Sequence, residues 1–297
     1  MGSNSFCGLR TVGSRTDNNL LPLAAYCIVG GVMDEQTVRS LNAINRTFYS
    51  THAVEFDQSR SAPWPGWTRL LPHIGQIRGE ATPLRVLDVG CGNGRFGAFL
   101  ADQLPASEID YCGIDSSPPL ISRASERALP FAGVEFRQTD FVEAGSELPK
   151  GPFSLIGLFG ILHHVPGHAH RRELLRRLGE RLAPGGILAL TTWQFEAFAR
   201  FQNRLVPWSD YNRTATDPIE TAQLEPGDHL LPWGDEGIAH RYCHFTSEDD
   251  TRELLEGLLF EIVDSYAADG REGNLNRYFI CRFSNTQVEP KEGEMPG

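Results

Sequence analysis

The chain has 297 residues, of which 40% are hydrophobic and 22% are charged, and its formal net charge is −11. These proportions are ordinary for a globular protein and exclude disorder, a collagen-like repeat or a coiled coil as the main architecture. Because 38 acidic residues outweigh 27 basic ones, binding to nucleic acid or to an anionic membrane would need a local basic patch.

The six cysteines contain no C-x-x-C pair, so the sequence predicts no metal site. Cys91 and Cys112 lie in apolar surroundings, which indicates reduced, buried thiols and favours a cytoplasmic location. The longest apolar run, residues 20–33, is too short to span a membrane and contains Pro22. We therefore expect residues 1–32 to form a disordered or loosely packed tail, with a secretory signal as the alternative.

Residues 33–80 are predicted to form an N-terminal helical cap. After Asp34, a plausible N-cap, apolar residues recur at helical spacing as far as Phe48. A turn-rich segment, FDQSRSAPWPGW, follows, and a second short helix is predicted over 68–77.

Residues 81–194 alternate between short apolar strands and helices. The strands are predicted at 85–90, 109–114, 134–138, 153–159 and 187–192, and the helices at 95–103, 119–128 and 170–182. This alternation predicts an α/β fold, in which helices cover both faces of a parallel sheet.

The alternation stops after residue 194. Residues 195–245 are rich in Pro, Trp and Asp without a clean period, and we interpret them as a lid insertion. Residues 246–285 return to the core, with a helix capped by Ser247 and an antiparallel edge hairpin formed by 260–266 and 278–283. Residues 286–297 are predicted to be a solvated tail.

The strongest local motif is VLDVGCGNGRFGAFL, in which a strand runs through Gly90, Gly92 and Gly94 into a helix. Glycines there allow a tight turn and a close approach of the backbone to a ligand, and the helix N-terminus favours an anionic group. A ligand-free turn between strand and helix is the alternative interpretation.

Two further strands end in a carboxylate. Asp115 follows Gly94 by 21 residues, which is the spacing of an acidic residue that binds ribose hydroxyls. Asp140 ends the third strand, where it can accept from an adenine amino group, and Phe141 offers a ring for stacking. Because carboxyl ends of parallel strands share one sheet edge, these residues predict a nucleotide site there.

Five segments in this order, LDVGCGNG, GIDSS, QTDF, FSLIGLFGILHHVP and LAPGGILAL, resemble the motifs of class I S-adenosylmethionine-dependent methyltransferases. The resemblance implies a Rossmann-like seven-stranded sheet of order 3-2-1-4-5-7-6, with strand seven antiparallel, and S-adenosylmethionine as cofactor. The cofactor-binding residues that it implies are Asp88, Gly90, Gly92, Asn93, Gly94, Asp115, Ser116, Asp140, Phe141 and Leu158.

A narrower resemblance involves FDQSRSAPWPGW, RLVPW and RYCHF, which are similar to segments of the wobble-uridine tRNA carboxymethyl methyltransferases. It implies methylation of a carboxylate on a modified wobble uridine, together with a small activating protein partner. A methyltransferase acting on a small carboxylate or hydroxyl metabolite is one alternative, and a non-catalytic adenosylmethionine-binding module is another.

A carboxylate acceptor needs a cation rather than a base, because it is already ionised near neutral pH. Arg60 and Arg241 are the candidates, since a guanidinium grips a carboxylate with two hydrogen bonds. For a hydroxyl or nitrogen acceptor, His164 or its neighbour His163 is the candidate base, with a non-catalytic role as the alternative. Residues that would wall or orient the acceptor are Trp64, Trp67, Trp208, Tyr242 and His244, with packing roles as the alternative.

Overall fold

A seven-stranded sheet lies at the centre of the computed structural model, which describes residues 33–58, 62–77, 83–143, 146–234 and 239–284. The strands of the chain are β1 (Leu84–Val89), β2 (Ile109–Asp115), β3 (Gly133–Gln138), β4 (Phe153–Leu158), β5 (Leu182–Trp193), β6 (Asp228–Trp233), β7 (Ala239–His244), β8 (Phe260–Ala268) and β9 (Asn276–Phe283).

The sheet has the order β3-β2-β1-β4-β5-β9-β8. Strands β1 to β5 pair in parallel, whereas β9 is antiparallel to both β5 and β8. Since β9 is the seventh strand of this sheet in chain order, the predicted order and the predicted antiparallel strand are confirmed. The predicted edge hairpin is confirmed as well, with longer strands than expected.

Helices cover both faces of the sheet. Successive side chains of a strand point to opposite faces, and the strands carry apolar side chains on both, so both faces must be buried. In β1, Leu87 and Val89 pack against α6 (His168–Gly179) and α9 (Glu248–Leu255). On the other face, Leu84 and Val86 share a core with α3 (Leu71–Ile77) and α4 (Arg95–Gln103). Helix α5 (Pro118–Glu126) connects β2 to β3.

The cap begins with α1 (Glu35–Thr51), and the Asp34 carboxylate accepts a hydrogen bond from the Thr37 N–H at 2.7 Å, which confirms the predicted N-cap. The short helix α2 (Ala53–Gln58) follows. The apolar stripe of α1 is buried together with Ile219 and Tyr242 from the predicted lid. Helix α1 therefore packs on the lid segment rather than standing alone.

The lid segment contains more regular structure than its sequence indicates. Strands β6 and β7 form a separate antiparallel pair, and the short helices α7 (Ala199–Gln202) and α8 (Trp208–Asn212) precede them. The strand pattern is hidden in the sequence because buried positions of this pair carry polar side chains, namely Asp228, Arg241 and His244.

The structure corrects two local predictions, the start of β5 and the second helix of the cap, and confirms a third, the capping box. Strand β5 starts at Leu182 rather than at residue 187, with a register shift opposite Phe153, so Pro184-Gly185-Gly186 lies within the strand instead of separating it from α6. The predicted second helix is a 3₁₀ turn over Pro65–Leu70 followed by α3. Ser247 and Asp250 form the predicted capping box.

The described cysteines, Cys91, Cys112, Cys243 and Cys281, are buried free thiols. Among the described residues, no helix has the length and apolar character needed to cross a membrane. The expected tails, residues 1–32 and 286–297, lie outside the described residues.

Candidate active site

A pocket lies between helix α1 and the carboxyl ends of the first four parallel strands. The turns after the strands supply its floor and side walls, and α1 supplies Asn45, Arg46 and Tyr49. The sequence-predicted residues that line it are Trp64, Gly90, Gly92, Asn93, Asp115, Ser116, Asp140, Phe141 and His164. The structure therefore brings most of the predicted cofactor residues to one cavity.

The glycine turn after β1 is held in a conformation that side chains rarely adopt. Gly90, Gly92 and Gly94 have φ angles of +72°, +54° and +77°. A Cβ on Gly90 would collide with the Ile161 side chain, whereas a Cβ on Gly92 would project into open space. Gly92 thus leaves room on the pocket wall for a ligand, and α4 begins directly after Gly94.

Asp115 orders this turn from the end of β2. Its two carboxylate oxygens accept the Gly92 N–H at 2.9 Å and the Ser117 N–H at 2.8 Å. Burial raises the pKa of Asp115, although these backbone hydrogen bonds oppose the rise. Each oxygen keeps a further lone pair, so the carboxylate can also accept from ligand hydroxyls.

Asp88 lies beneath the turn and does not line the pocket. The Tyr111 hydroxyl donates to its carboxylate at 2.6 Å. Burial raises the pKa of Asp88 to about 7, against the lowering effect of this hydrogen bond. Gly94 and Leu158 are also set back from the pocket, the first as the N-cap of α4 and the second as a fully buried core residue.

Asp140 connects the pocket to its helical roof. Its carboxylate accepts from the Arg46 guanidinium at 2.9 Å and from the Val142 N–H at 3.3 Å. Because Arg46 is on α1 and Asp140 follows β3, this ion pair fastens α1 across the pocket. Phe141 beside it is buried in the core next to the cavity.

His164 is fixed by hydrogen bonds at both ring nitrogens. Its Nδ1 lies 3.0 Å from the Tyr242 carbonyl oxygen, which can only accept, so Nδ1 carries the proton. The Nε2 atom is then an acceptor for the Tyr49 hydroxyl at 2.8 Å. The Asn45 amide nitrogen, itself a donor, lies farther from Nδ1 at 3.3 Å and does not donate to the protonated nitrogen, whereas the Asn45 amide oxygen accepts the Tyr242 N–H at 2.9 Å.

Arg241 is buried on β7, with only 6% of its surface exposed. Its guanidinium carbon lies 5.2, 5.6 and 4.9 Å from the ring centres of Phe48, Trp193 and Trp233. No carboxylate of the described residues forms an ion pair with it, and its Nε is buried without a hydrogen-bond acceptor there. Arg60, the second predicted clamp, lies outside the described residues.

The aromatic enclosure of Arg241 adjoins the His164 wall of the pocket. Phe48 directly precedes Tyr49 on α1 and their rings are in edge contact. The centre of the His163 ring lies 4.1 Å from the centre of the His164 ring and 5.4 Å from the centre of the Trp193 ring. Arg241 itself does not line the pocket.

The predicted acceptor-binding residues divide into two groups. Trp64 lines the pocket and stacks on Trp67, which is buried in the core. Trp208, Tyr242 and His244 do not line it. All three make hydrogen bonds to Asp228. Trp208 donates to the Asp228 carbonyl oxygen at 3.0 Å, and its carboxylate bonds to the Tyr242 hydroxyl at 2.6 Å and to Nδ1 of His244 at 2.8 Å.

This carboxylate is a structural centre of the lid. Burial opposes ionisation of Asp228, but the hydrogen bonds from His244 and Tyr242 outweigh it and lower the pKa of the carboxyl. The structure therefore places Trp208, Tyr242 and His244 around a buried anion within the lid.

The residues of α1 that line the pocket were missed by sequence reasoning. Asn42, Asn45, Arg46 and Tyr49 recur at helical spacing beside the apolar stripe of α1. Such a polar face next to a buried stripe is also typical of any surface helix. The repeat was visible, but its position above the strand ends required the tertiary structure.

Solved structures of methyltransferases share this architecture. A S-adenosylmethionine-dependent methyltransferase from Clostridium acetobutylicum superposes with a TM-score of 0.55 at 12% identity, over 80% of this chain and 99% of that chain. The 1,6-didemethyltoxoflavin-N1-methyltransferase of Burkholderia thailandensis also superposes with a TM-score of 0.55. It is 18% identical, and the superposition covers 84% of this chain and 91% of that chain. The fold is thus that of class I S-adenosylmethionine-dependent methyltransferases.

The family model for the methyltransferase domain matches residues 59–265, and the chain belongs to this family. The trans-aconitate 2-methyltransferase of Streptomyces coelicolor is 38% identical over 124 residues, which is 42% of this chain and 39% of that protein. The tRNA U34 carboxymethyltransferase of Klebsiella pneumoniae is 27% identical over 165 residues, which is 53% of this chain and 44% of that protein. The matched segments therefore span less than half of these relatives.

Proposed function

We propose that this chain binds S-adenosylmethionine in the pocket under α1 and transfers its methyl group to a carboxylate of an acceptor. The observation that carries the proposal is the pairing of Asp115 with the open glycine turn. The Asp115 carboxylate, which can accept further hydrogen bonds, and the backbone of Gly92, which has no side chain to fill the space, lie next to each other on one wall of the pocket.

The residues present fit this donor. Asp115 offers a buried carboxylate for ribose hydroxyls, and Asp140 stands at the next strand end for the adenine amino group. The N-terminus of α4 favours a negatively charged group such as the donor's carboxylate. When bound, S-adenosylmethionine supplies a methyl group on a sulfonium, which an acceptor displaces in line.

For a carboxylate acceptor, the protein's contribution is alignment and exclusion of water, because the nucleophile is already ionised. Helix α1 provides both by roofing the pocket through Arg46 and Tyr49. The names of the relatives support this acceptor class, since one is a trans-aconitate 2-methyltransferase and another a tRNA carboxymethyltransferase. We favour a small anionic molecule, because Arg241, which has no ion pair among the described residues, is buried where a large acceptor would not reach it.

Methylation of a modified wobble uridine in tRNA is the second candidate. It is supported by the similarity of RLVPW and RYCHF to that family and by the match with the Klebsiella pneumoniae protein. The net charge of −11 opposes it unless a partner protein supplies basic surface, so this candidate includes an activating partner.

A hydroxyl or nitrogen acceptor would instead need a base. His164 has the matching tautomer, because its Nε2 lone pair faces the Tyr49 hydroxyl and its proton is held on Nδ1. In that reaction the acceptor proton would pass to Tyr49 and from Tyr49 to His164. The carboxylate reaction needs no such relay, which makes the two acceptor classes separable by experiment.

The test is an activity screen with methyl-labelled S-adenosylmethionine against unmodified tRNA, tRNA carrying the carboxymethyl group, and a panel of small carboxylates. We expect labelled methyl ester, stable at neutral pH and released by mild base, from a small carboxylate. Base-stable product would favour the hydroxyl or nitrogen acceptor. Tight donor binding without S-adenosylhomocysteine formation with any acceptor would indicate the non-catalytic module.

A further inference from the structure

We propose that Arg241 and the rings of Phe48, Trp193 and Trp233 form an anchoring subsite for an anionic group of the acceptor other than the one that is methylated. This inference deepens the proposed function and rests on it. It assigns the acceptor to small molecules with at least two anionic groups.

The first argument is that no described residue supplies a counter-charge to Arg241. Burying a guanidinium without a partner is costly, and buried charges in proteins are normally paired. A second buried arginine of this chain follows that rule, since Arg171 forms an ion pair with Glu225 and donates to the Val165 carbonyl oxygen at 3.0 Å. Arg241 has no ion pair within the described residues, and its Nε remains without an acceptor there.

The second argument is the geometry of the enclosure. Three aromatic rings surround the guanidinium at 4.9 to 5.6 Å and attract it through their faces. Aromatic rings offer no strong hydrogen-bond acceptor, so the N–H donors of Arg241 stay available. Carboxylate and phosphate groups match the planar fork of such donors, and a carboxylate is the anion of the acceptor class proposed above.

The third argument is position. The enclosure adjoins the donor pocket through the contact of Phe48 with Tyr49 and through His163, which lies between Trp193 and His164. Because Arg241 does not line the pocket, a carboxylate bound to it is set apart from the one presented to the donor. A small di- or tricarboxylate meets both requirements.

The substitution Arg241→Met tests the subsite because it keeps an unbranched stem and removes the charge. We expect its melting temperature to stay close to that of the parent, because the lost attraction of the rings offsets the removal of a buried charge that has no ion pair among the described residues. Succinate binding, measured by calorimetry with S-adenosylhomocysteine present, should weaken 10- to 100-fold. Succinamide, the neutral analogue, should bind weakly to both proteins.

The matched control is Arg200→Met, because Arg200 also lies over two phenylalanine rings but is exposed. It should leave succinate binding unchanged. Arg241→Lys should restore part of the affinity, because lysine keeps the charge without the fork.

Equal succinate binding by the parent and Arg241→Met would overturn the proposal. A large loss of stability in Arg241→Met would also overturn it, because the guanidinium would then be compensated within the fold. The measurement needs no turnover. Succinate binding at Arg241 in a protein that fails to bind S-adenosylmethionine would show that the proposed function, and not the anion subsite, is wrong.

Discussion

The Tyr49 hydroxyl donates a hydrogen bond to Nε2 of His164 at 2.8 Å, across 115 positions of the chain. It joins the helical roof to the turn that follows β4, and both residues line the pocket that we propose binds the donor. The bond fixes the orientation of the Tyr49 hydroxyl, since the proton of His164 is held on Nδ1 by the Tyr242 carbonyl. The N-terminal helix is therefore part of the site and not an appendage to it.

The substitution Tyr49→Phe should distinguish the acceptor classes. For a carboxylate acceptor we expect kcat/KM to fall less than 10-fold, because only orientation is lost. For a hydroxyl or nitrogen acceptor the loss should be roughly 100-fold or more, since proton transfer contributes ~10²–10⁴-fold. The pH profile of kcat/KM provides the second readout, and a fall in rate at low pH that is present in the parent but disappears in Tyr49→Phe would contradict the carboxylate assignment.

The substitution Asp115→Ala should weaken binding of S-adenosylmethionine about 10- to 100-fold, because a buried carboxylate that accepts ligand hydroxyls is lost. Calorimetry with S-adenosylhomocysteine measures the effect without turnover. Asp102→Ala on the exposed face of α4 is the matched control and should bind as the parent does. Unchanged affinity in a folded Asp115→Ala protein would rule out the ribose role of this residue.

The substitution Asp88→Asn should alter the pH dependence of stability. Burial raises the pKa of Asp88 from 3.8 to about 7, so the folded state holds a proton that the unfolded state releases. The free energy of unfolding contributed by this group therefore decreases as pH rises from 4 to 7, by a few kcal/mol, and is constant above that range. Asparagine has no such titration.

Urea unfolding at several pH values between 4 and 8 checks this expectation. The stability of Asp88→Asn relative to the parent should rise with pH up to about 7 and then level off. A constant difference over the whole range would show that Asp88 does not titrate there.

The substitution Asp228→Asn should destabilise the lid. The carboxylate accepts from the Tyr242 hydroxyl and from His244, and these bonds hold its pKa below the ordinary value. Its stabilising contribution is present above the pKa of the unfolded carboxyl and is lost as pH falls through the lower folded value. We expect a cost of about 1–3 kcal/mol at pH 7 that shrinks below pH 4.

Thermal unfolding at pH 7 and pH 3.5 measures the loss, with the exposed Asp210→Asn on α8 as control. Donor affinity should fall less than stability, because Asp228 does not line the pocket. A loss of donor affinity as large as that of Asp115→Ala would instead place Asp228 in the donor site.

The sequence by itself determined the sheet and the donor side of the pocket. Local apolar runs alternating with helices predict the parallel α/β sheet, and the motifs that resemble class I methyltransferases imply its strand order. The features at the strand ends follow each strand directly in the chain. Parallel strands bring their carboxyl ends to one edge, so Gly92, Asp115 and Asp140 could be placed together without knowing any distant contact.

The tertiary structure alone decided the roof and the surroundings of Arg241. Asn45 accepts the Tyr242 N–H across 197 positions, and this contact depends on how α1 packs against β7. No local pattern reports whether a buried polar side chain finds a partner, because the partner comes from a different part of the chain. The Asp228 carboxylate accepts hydrogen bonds from Tyr242 and His244, whereas Arg241 on the same strand pair lies against aromatic rings and forms no ion pair among the described residues. That difference arises from packing, and it separates the structural residues of the lid from the cation that we propose binds the acceptor.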